Sequence, residues 1–117
     1  MKTEYEFSGP FSDRSHFKLN FDGIDLEIEL EDQKEAKSLI VFSFDSVVWF
    51  QFENHSTMLS FPNDSIEKVV VMSATSYTGE RAHKFSPIFD ENSKLYKLML
   101  NDIGYLELVA SDFVVKT

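Results

Sequence analysis

The segment SLIVFSFDSVVWFQFE, residues 38–53, decides the fold class. Between positions 40 and 52 its even residues are Ile40, Phe42, Phe44, Val48, Phe50 and Phe52, with Ser46 as the one polar interruption. Its odd residues are a mixture: Leu39, Val41, Ser43, Asp45, Val47, Trp49, Gln51 and Glu53. A repeat of two sends successive side chains to opposite faces of a strand. One face made almost wholly of large hydrophobes belongs at the centre of a sheet. The parity survives Asp45 and Ser46, so the stretch is either one long bent strand or a hairpin with a three-residue loop. No glycine supplies the positive φ that such a loop usually needs, which favours the bent or bulged strand.

Hairpins flank this segment. Residues 16–31, HFKLNFDGIDLEIELE, carry Asp22-Gly23, which suits a two-residue turn with positive φ angles. That turn pairs Phe21 with Ile24, Leu19 with Leu26 and Phe17 with Ile28 on an apolar face. It sets Asn20 across from Asp25, Lys18 across from Glu27 and His16 across from Glu29 on the polar face. A second hairpin spans residues 94–110, with a loop at Asp102-Ile103-Gly104 and Gly104 left-handed. It pairs Leu100 with Leu106, Leu98 with Leu108 and Tyr96 with Ala110. Shorter strands are expected at residues 4–7, 65–77 and 112–116. Residues 31–37, with room for one helical turn, 54–64 and 78–92 read as connections. About seven strands joined in this way imply an all-β fold with little or no helix. It is an antiparallel β-sandwich or a partly closed β-barrel, in a single domain over residues 1–117.

At 117 residues, the chain can bury about two thirds of the surface it exposes when unfolded. Twelve phenylalanines supply that core without a disulfide or a metal. The absence of cysteine suits a reducing compartment. The start, MKTEYEFSGPFSD, has neither the basic opening nor the apolar run of a secretory signal. Apolar runs such as residues 47–50 and 69–72 are far short of the ~20 residues of a membrane span. A cytoplasmic location is therefore expected. Twenty acidic side chains against eleven basic ones give a net charge of −9. Such a surface repels phosphate backbones and attracts basic partners, which disfavours nucleic acid and membrane surfaces. Seven of the acids lie between Asp22 and Glu35, with Lys34 the one base among them.

Catalytic chemistry finds little to stand on. His16, His55 and His83 share no spacing that would place two ligands on one face, so no metal site is expected. Asp25, Glu27, Glu29 and Glu31 alternate at about 6.5–7 Å, near the separation an inverting glycosidase uses. Any acidic strand face meets that test, and a solvated face explains it more simply. Four glycines leave no phosphate-cradling loop, no dinucleotide fingerprint and no nucleophile elbow. The expectation is a protein that is not an enzyme and holds no cofactor. Trp49, with Tyr77, Tyr96 and Tyr105, is available to line a cavity or anchor an interface. Trp49 shares the mixed face with Leu39, Val41 and Val47, a patch that needs a cover; a second sheet of the same domain is the simplest one.

Three blocks carry a family resemblance: HFKLNFDGIDLEIEL (16–30), LIVFSFDSVVWFQFEN (39–54) and LYKLMLNDIGYLELVASDFVVK (95–116). In order, acidity and lack of cysteine the chain resembles the small all-β immunity proteins of bacterial polymorphic and contact-dependent toxin systems. The resemblance implies a protein that binds and neutralises a cognate toxin domain, often a basic nuclease, in the cytoplasm. It also implies a toxin-binding surface of Asp25, Glu27, Glu29, Glu31, Asp32 and Glu35 that imitates phosphate, with Trp49 as an aromatic anchor. Two alternatives stand beside it. One is a small-molecule or lipid carrier, a β-barrel enclosing a Phe-lined cavity of about 300 Å³ or more. The other is a non-catalytic interaction subunit that lends a free strand edge near residues 4–7 to a partner.

Overall fold

The computed structural model describes residues 2–6, 17–32, 38–54, 68–74, 92–100 and 103–116, with backbone alone at Glu31, Asp32, Ser38 and Leu39. Within them the alternating segments form β1 (Lys2–Glu6), β2 (Phe17–Phe21), β3 (Leu26–Asp32), β4 (Ser38–Asp45) and β5 (Trp49–Asn54). They are followed by β6 (Lys68–Ser73), β7 (Lys94–Leu100), β8 (Gly104–Ala110) and β9 (Asp112–Lys116). One sheet runs β1-β6-β7-β8-β5 and the other β2-β3-β4-β9, with every pairing antiparallel. The two pack face to face as an all-β sandwich, not a closed barrel. No described helix is long and apolar enough to cross a membrane.

The 38–53 segment is the bent strand, not the hairpin. β4 pairs with β3 and β9 in one sheet, while β5 pairs with β8 in the other. Between them Ser46, at φ 52°, turns the chain from sheet to sheet. β8 and β9 make the same crossing through Ser111. The two crossings are bonded to each other. The Val48 amide donates to the Val109 carbonyl at 2.9 Å, and the Ser111 amide donates to the Asp45 carbonyl at 2.9 Å. Strands that switch sheets through a bend form the corner of a sandwich. The described residues form nine strands against the roughly seven expected, the bent 38–53 segment counting as two.

Both hairpins keep the expected faces but slip by two residues. In the first, Phe17 pairs with Leu30, Leu19 with Ile28 and Phe21 with Leu26, so residues 22–25 form a four-residue loop. The reason is Asp22, whose Oδ1 accepts from the Ile24 amide at 2.8 Å and the Asp25 amide at 2.7 Å. This side-chain turn extends the loop past Gly23, which adopts φ 100°. In the second hairpin, Tyr96 pairs with Leu108 and Leu98 with Leu106, and Gly104 sits inside β8 opposite Leu100. Gly104 is not the left-handed loop residue. Its φ of 157° lies in the positive range that side chains rarely adopt, and a Cβ there would also meet the Glu53 carbonyl and the Phe52 ring. The backbone angle within β8 and the close approach of β5 together require the glycine.

The core forms from the inward faces. Leu26, Ile28, Leu30, Ile40, Phe42 and Phe44 of one sheet meet Val69, Val71, Tyr96, Leu98, Leu106 and Leu108 of the other. Each such side chain contributes roughly 1.5–3 kcal/mol by leaving water. Phe44 packs its ring at 5.3 Å from Tyr96 and 4.9 Å from Phe113. Phe17 stacks on Phe52 at 5.5 Å, which brings β2 and β5 together at one side. The strand expected at residues 4–7 is β1, an edge strand with a bulge between Thr3 and Tyr5. Exposed Lys2, Glu4 and Glu6 line it, and a bulged, charged edge resists further strand pairing.

Candidate partner-binding face

The outward face of the β2-β3-β4-β9 sheet presents its side chains in rows set by the register. Lys18, Glu29, Val41 and Lys116 form one row; Asn20, Glu27, Ser43 and Val114 form the next. Asp45 and Asp112 follow, paired across β4 and β9. The face thus shows four carboxylates, Glu27, Glu29, Asp45 and Asp112, against the two ammonium groups of Lys18 and Lys116. Lys116 Nζ lies 3.7 Å from Glu27 Oε1. Both side chains are well exposed, so the pair contributes about 0–1 kcal/mol and opens readily to a competing cation.

A depression of about 190 Å³ lies on this face, lined by Lys18, Asn20, Glu27, Glu29 and Val41. It is smaller than the ~300 Å³ at which small-molecule pockets begin, and its lining is mostly charged. Such a surface suits the side chains of another protein better than a buried small ligand.

The residues singled out in the sequence separate into several groups. Glu27 and Glu29 sit on the face together. Glu31 and Asp32 continue β3 in register with Leu39 and Ser38. Asp25 is not across from Asn20. It lies half-buried in the loop, where its Oδ1 accepts from the Ser46 amide at 3.0 Å. Glu35 lies outside the described residues, as do His16, His55, His83 and Tyr77. Trp49 is on the opposite side of the sandwich, packed with Met72 against Ala74, Leu95 and Val109. The mixed face read for Val41, Val47 and Trp49 is therefore not one surface. Val41 lines the acidic face, Val47 enters the core between the sheets, and Trp49 covers the other sheet's outer side. The crossing at residues 46–48 causes this, because one strand's parity serves two different sheets.

Two features escaped the sequence reading. Glu107 on β8 is only 3% exposed. Its Oε2 accepts from the Tyr105 hydroxyl at 2.8 Å, while Oε1 has no partner among the described residues. Lys97 and Gln51 are its cross-strand neighbours. The signal was the pattern Tyr105-x-Glu107-x-Val109 in a strand apolar on both faces. The second feature is the cluster Phe21, Ile24 and Val48, assigned to the core by parity but exposed at the corner.

Charge also gathers at the Tyr96 end of the core. Burial pushes the Tyr96 hydroxyl's pKa up, and the carboxylates of Asp112, Glu4 and Asp45 push it further. The amides of Asp25 and Ile24 hold the exposed Asp22 carboxyl below the ordinary carboxylate range. Among the described residues no group of three or more His, Cys, Asp or Glu side chains is placed to hold a metal. The chain matches no family model, no curated protein and no solved structure.

Proposed function

We propose that this protein is an immunity protein: it binds a cognate bacterial toxin domain, a basic nuclease, in the cytoplasm and blocks it without catalysis. The observation that carries the reading is the outward face of the β2-β3-β4-β9 sheet, where, among the described residues, carboxylates outnumber ammonium groups by four to two in a chain of net charge −9. Glu27 and Glu29 supply negative charge at strand spacing. A nuclease cleft lined with Lys and Arg accepts such a line where it would take phosphates. Encounter is accelerated by the field of the whole chain, and the Lys116–Glu27 pair exchanges for a pair with the partner.

The carrier alternative has less support, since interlocked rings of Phe42, Phe44, Tyr96 and Phe113 occupy the space between the sheets. Trp49, on the outer side of the other sheet, is not part of this acidic face.

The test is to purify the C-terminal domain of the protein encoded by the neighbouring upstream gene and to titrate this chain into it, with nuclease activity as the readout. The expected result is loss of activity that is complete at one equivalent. Full activity at a large excess of the protein refutes the proposal.

A further inference from the structure

The corner where the chain changes sheets carries an apolar patch. Phe21, Ile24 and Val48 are 40%, 65% and 45% exposed, three of the four large hydrophobics exposed among the described residues. They are neighbours in space. Ile24 belongs to the loop that follows Phe21, and its carbonyl accepts from the Val47 amide at 2.7 Å, one residue from Val48. The Phe21 ring rests 5.0 Å from that of Phe50.

The patch is held in place. The Asp22 carboxylate takes the Ile24 and Asp25 amides, the Asp25 carboxylate takes the Ser46 amide, and the Val48 amide donates to Val109. An exposed isoleucine on a backbone fixed at this many points loses little freedom on docking, the condition under which apolar anchors contribute most to affinity.

Among the described residues, the segments that build the corner carry only acidic charges. Asp22 and Asp25 flank Ile24, while Asp45 and Asp112 stand at the crossings. Residues 20–25, 44–49 and 109–112 contain no Lys, Arg or His. Two copies meeting through this patch would bring like charges together, and an anionic membrane surface would be repelled in the same way.

We infer that Phe21, Ile24 and Val48 are the apolar anchor of the interface with a basic protein, whose complementary surface is an apolar socket rimmed by Lys or Arg. This rests on the toxin-binding reading and deepens it: contact with the toxin domain centres on the corner, and the acidic face extends from it. The carboxylates set the rate of encounter, and the three hydrophobes set the lifetime of the complex.

The experiment uses the full chain and the C-terminal domain encoded by the neighbouring upstream gene, the partner of the proposed function. Ile24→Ser and Val48→Ser are compared with wild type by surface-immobilised binding kinetics, and thermal unfolding checks that each variant folds. Ile24→Thr, which keeps the β-branched shape, is the second variant should Ile24→Ser misfold. The expected result is a dissociation rate raised about 30-fold or more for Ile24→Ser, with the association rate changed less than about twofold. Tight wild-type binding with unchanged dissociation in the folded variants overturns the anchor and leaves the toxin reading intact. No wild-type binding removes the toxin reading and the anchor together. A wild-type dimer that Ile24→Ser converts to monomer in sedimentation also overturns the inference, by making the patch a self-interface.

Discussion

The Asp25 carboxylate accepts a hydrogen bond from the Ser46 amide at 3.0 Å, tying the β2–β3 loop to the sheet crossing 21 residues further along the chain. Ser46 has φ 52°, a left-handed conformation that a non-glycine residue adopts at a cost of roughly 1–2 kcal/mol. The bond helps to hold it there. An acid that reads in the sequence as part of a binding surface is thus part of the scaffold.

Asp25→Ala removes the acceptor of the Ser46 amide and should destabilise the protein by about 1–2 kcal/mol. Asp25→Asn keeps an acceptor and should cost less. Urea denaturation measures both, and hydrogen exchange at the Ser46 amide should accelerate in the alanine variant. Equal stability of all three proteins would show that the corner is held by its backbone bonds alone.

Tyr96 gives the stability a pH dependence on the alkaline side. The residue is 2% exposed, and burial together with Asp112, Glu4 and Asp45 raises its hydroxyl's pKa above the unfolded value of about 10. A raised folded-state pKa favours the protonated side chain in the native protein. That contribution is complete below about pH 10 and is lost as pH climbs from there towards the folded-state value. Urea midpoints measured from about pH 8 to 11 should fall more steeply for wild type than for Tyr96→Phe, which has no proton to lose. Identical slopes would contradict this.

Glu107 and Tyr105 form a buried polar pair in the outer face of the other sheet. Tyr105→Phe takes the donor from Glu107 Oε2 while Oε1 already lacks one among the described residues. The expected cost is about 1–3 kcal/mol, the penalty for a buried group left unsatisfied. Glu107→Gln retains an oxygen for the Tyr105 hydroxyl and removes the buried charge, so it should cost less than Tyr105→Phe. Thermal unfolding of the two variants decides the order.

The alternation in residues 38–53 was enough to read the β class, the central position of Phe42 and Phe44, and the bend near Ser46. It could not show that the bend exchanges one sheet for the other. Parity is a property of one strand, and the relation between Val41 and Trp49 depends on which sheet each half joins. The hairpin faces were legible for the same reason, but not the registers. A shift of two residues preserves every face, and the choice between turns rested on the Asp22 side chain and on the approach of Glu53 to Gly104. Of the candidate site, Glu27 and Glu29 could be read from the pattern of β3. The exposed corner could not, because parity alone places Ile24 inside.

The most direct measurement is the association rate of the full chain with the C-terminal domain encoded by the neighbouring upstream gene, the partner the proposal names, followed by stopped flow as ionic strength is raised. An acidic face that steers a basic partner predicts a rate that falls about tenfold or more between roughly 10 mM and 500 mM salt. The dependence should flatten when Glu27 and Glu29 are both replaced by Lys. A rate indifferent to salt and to that double charge reversal would contradict the account.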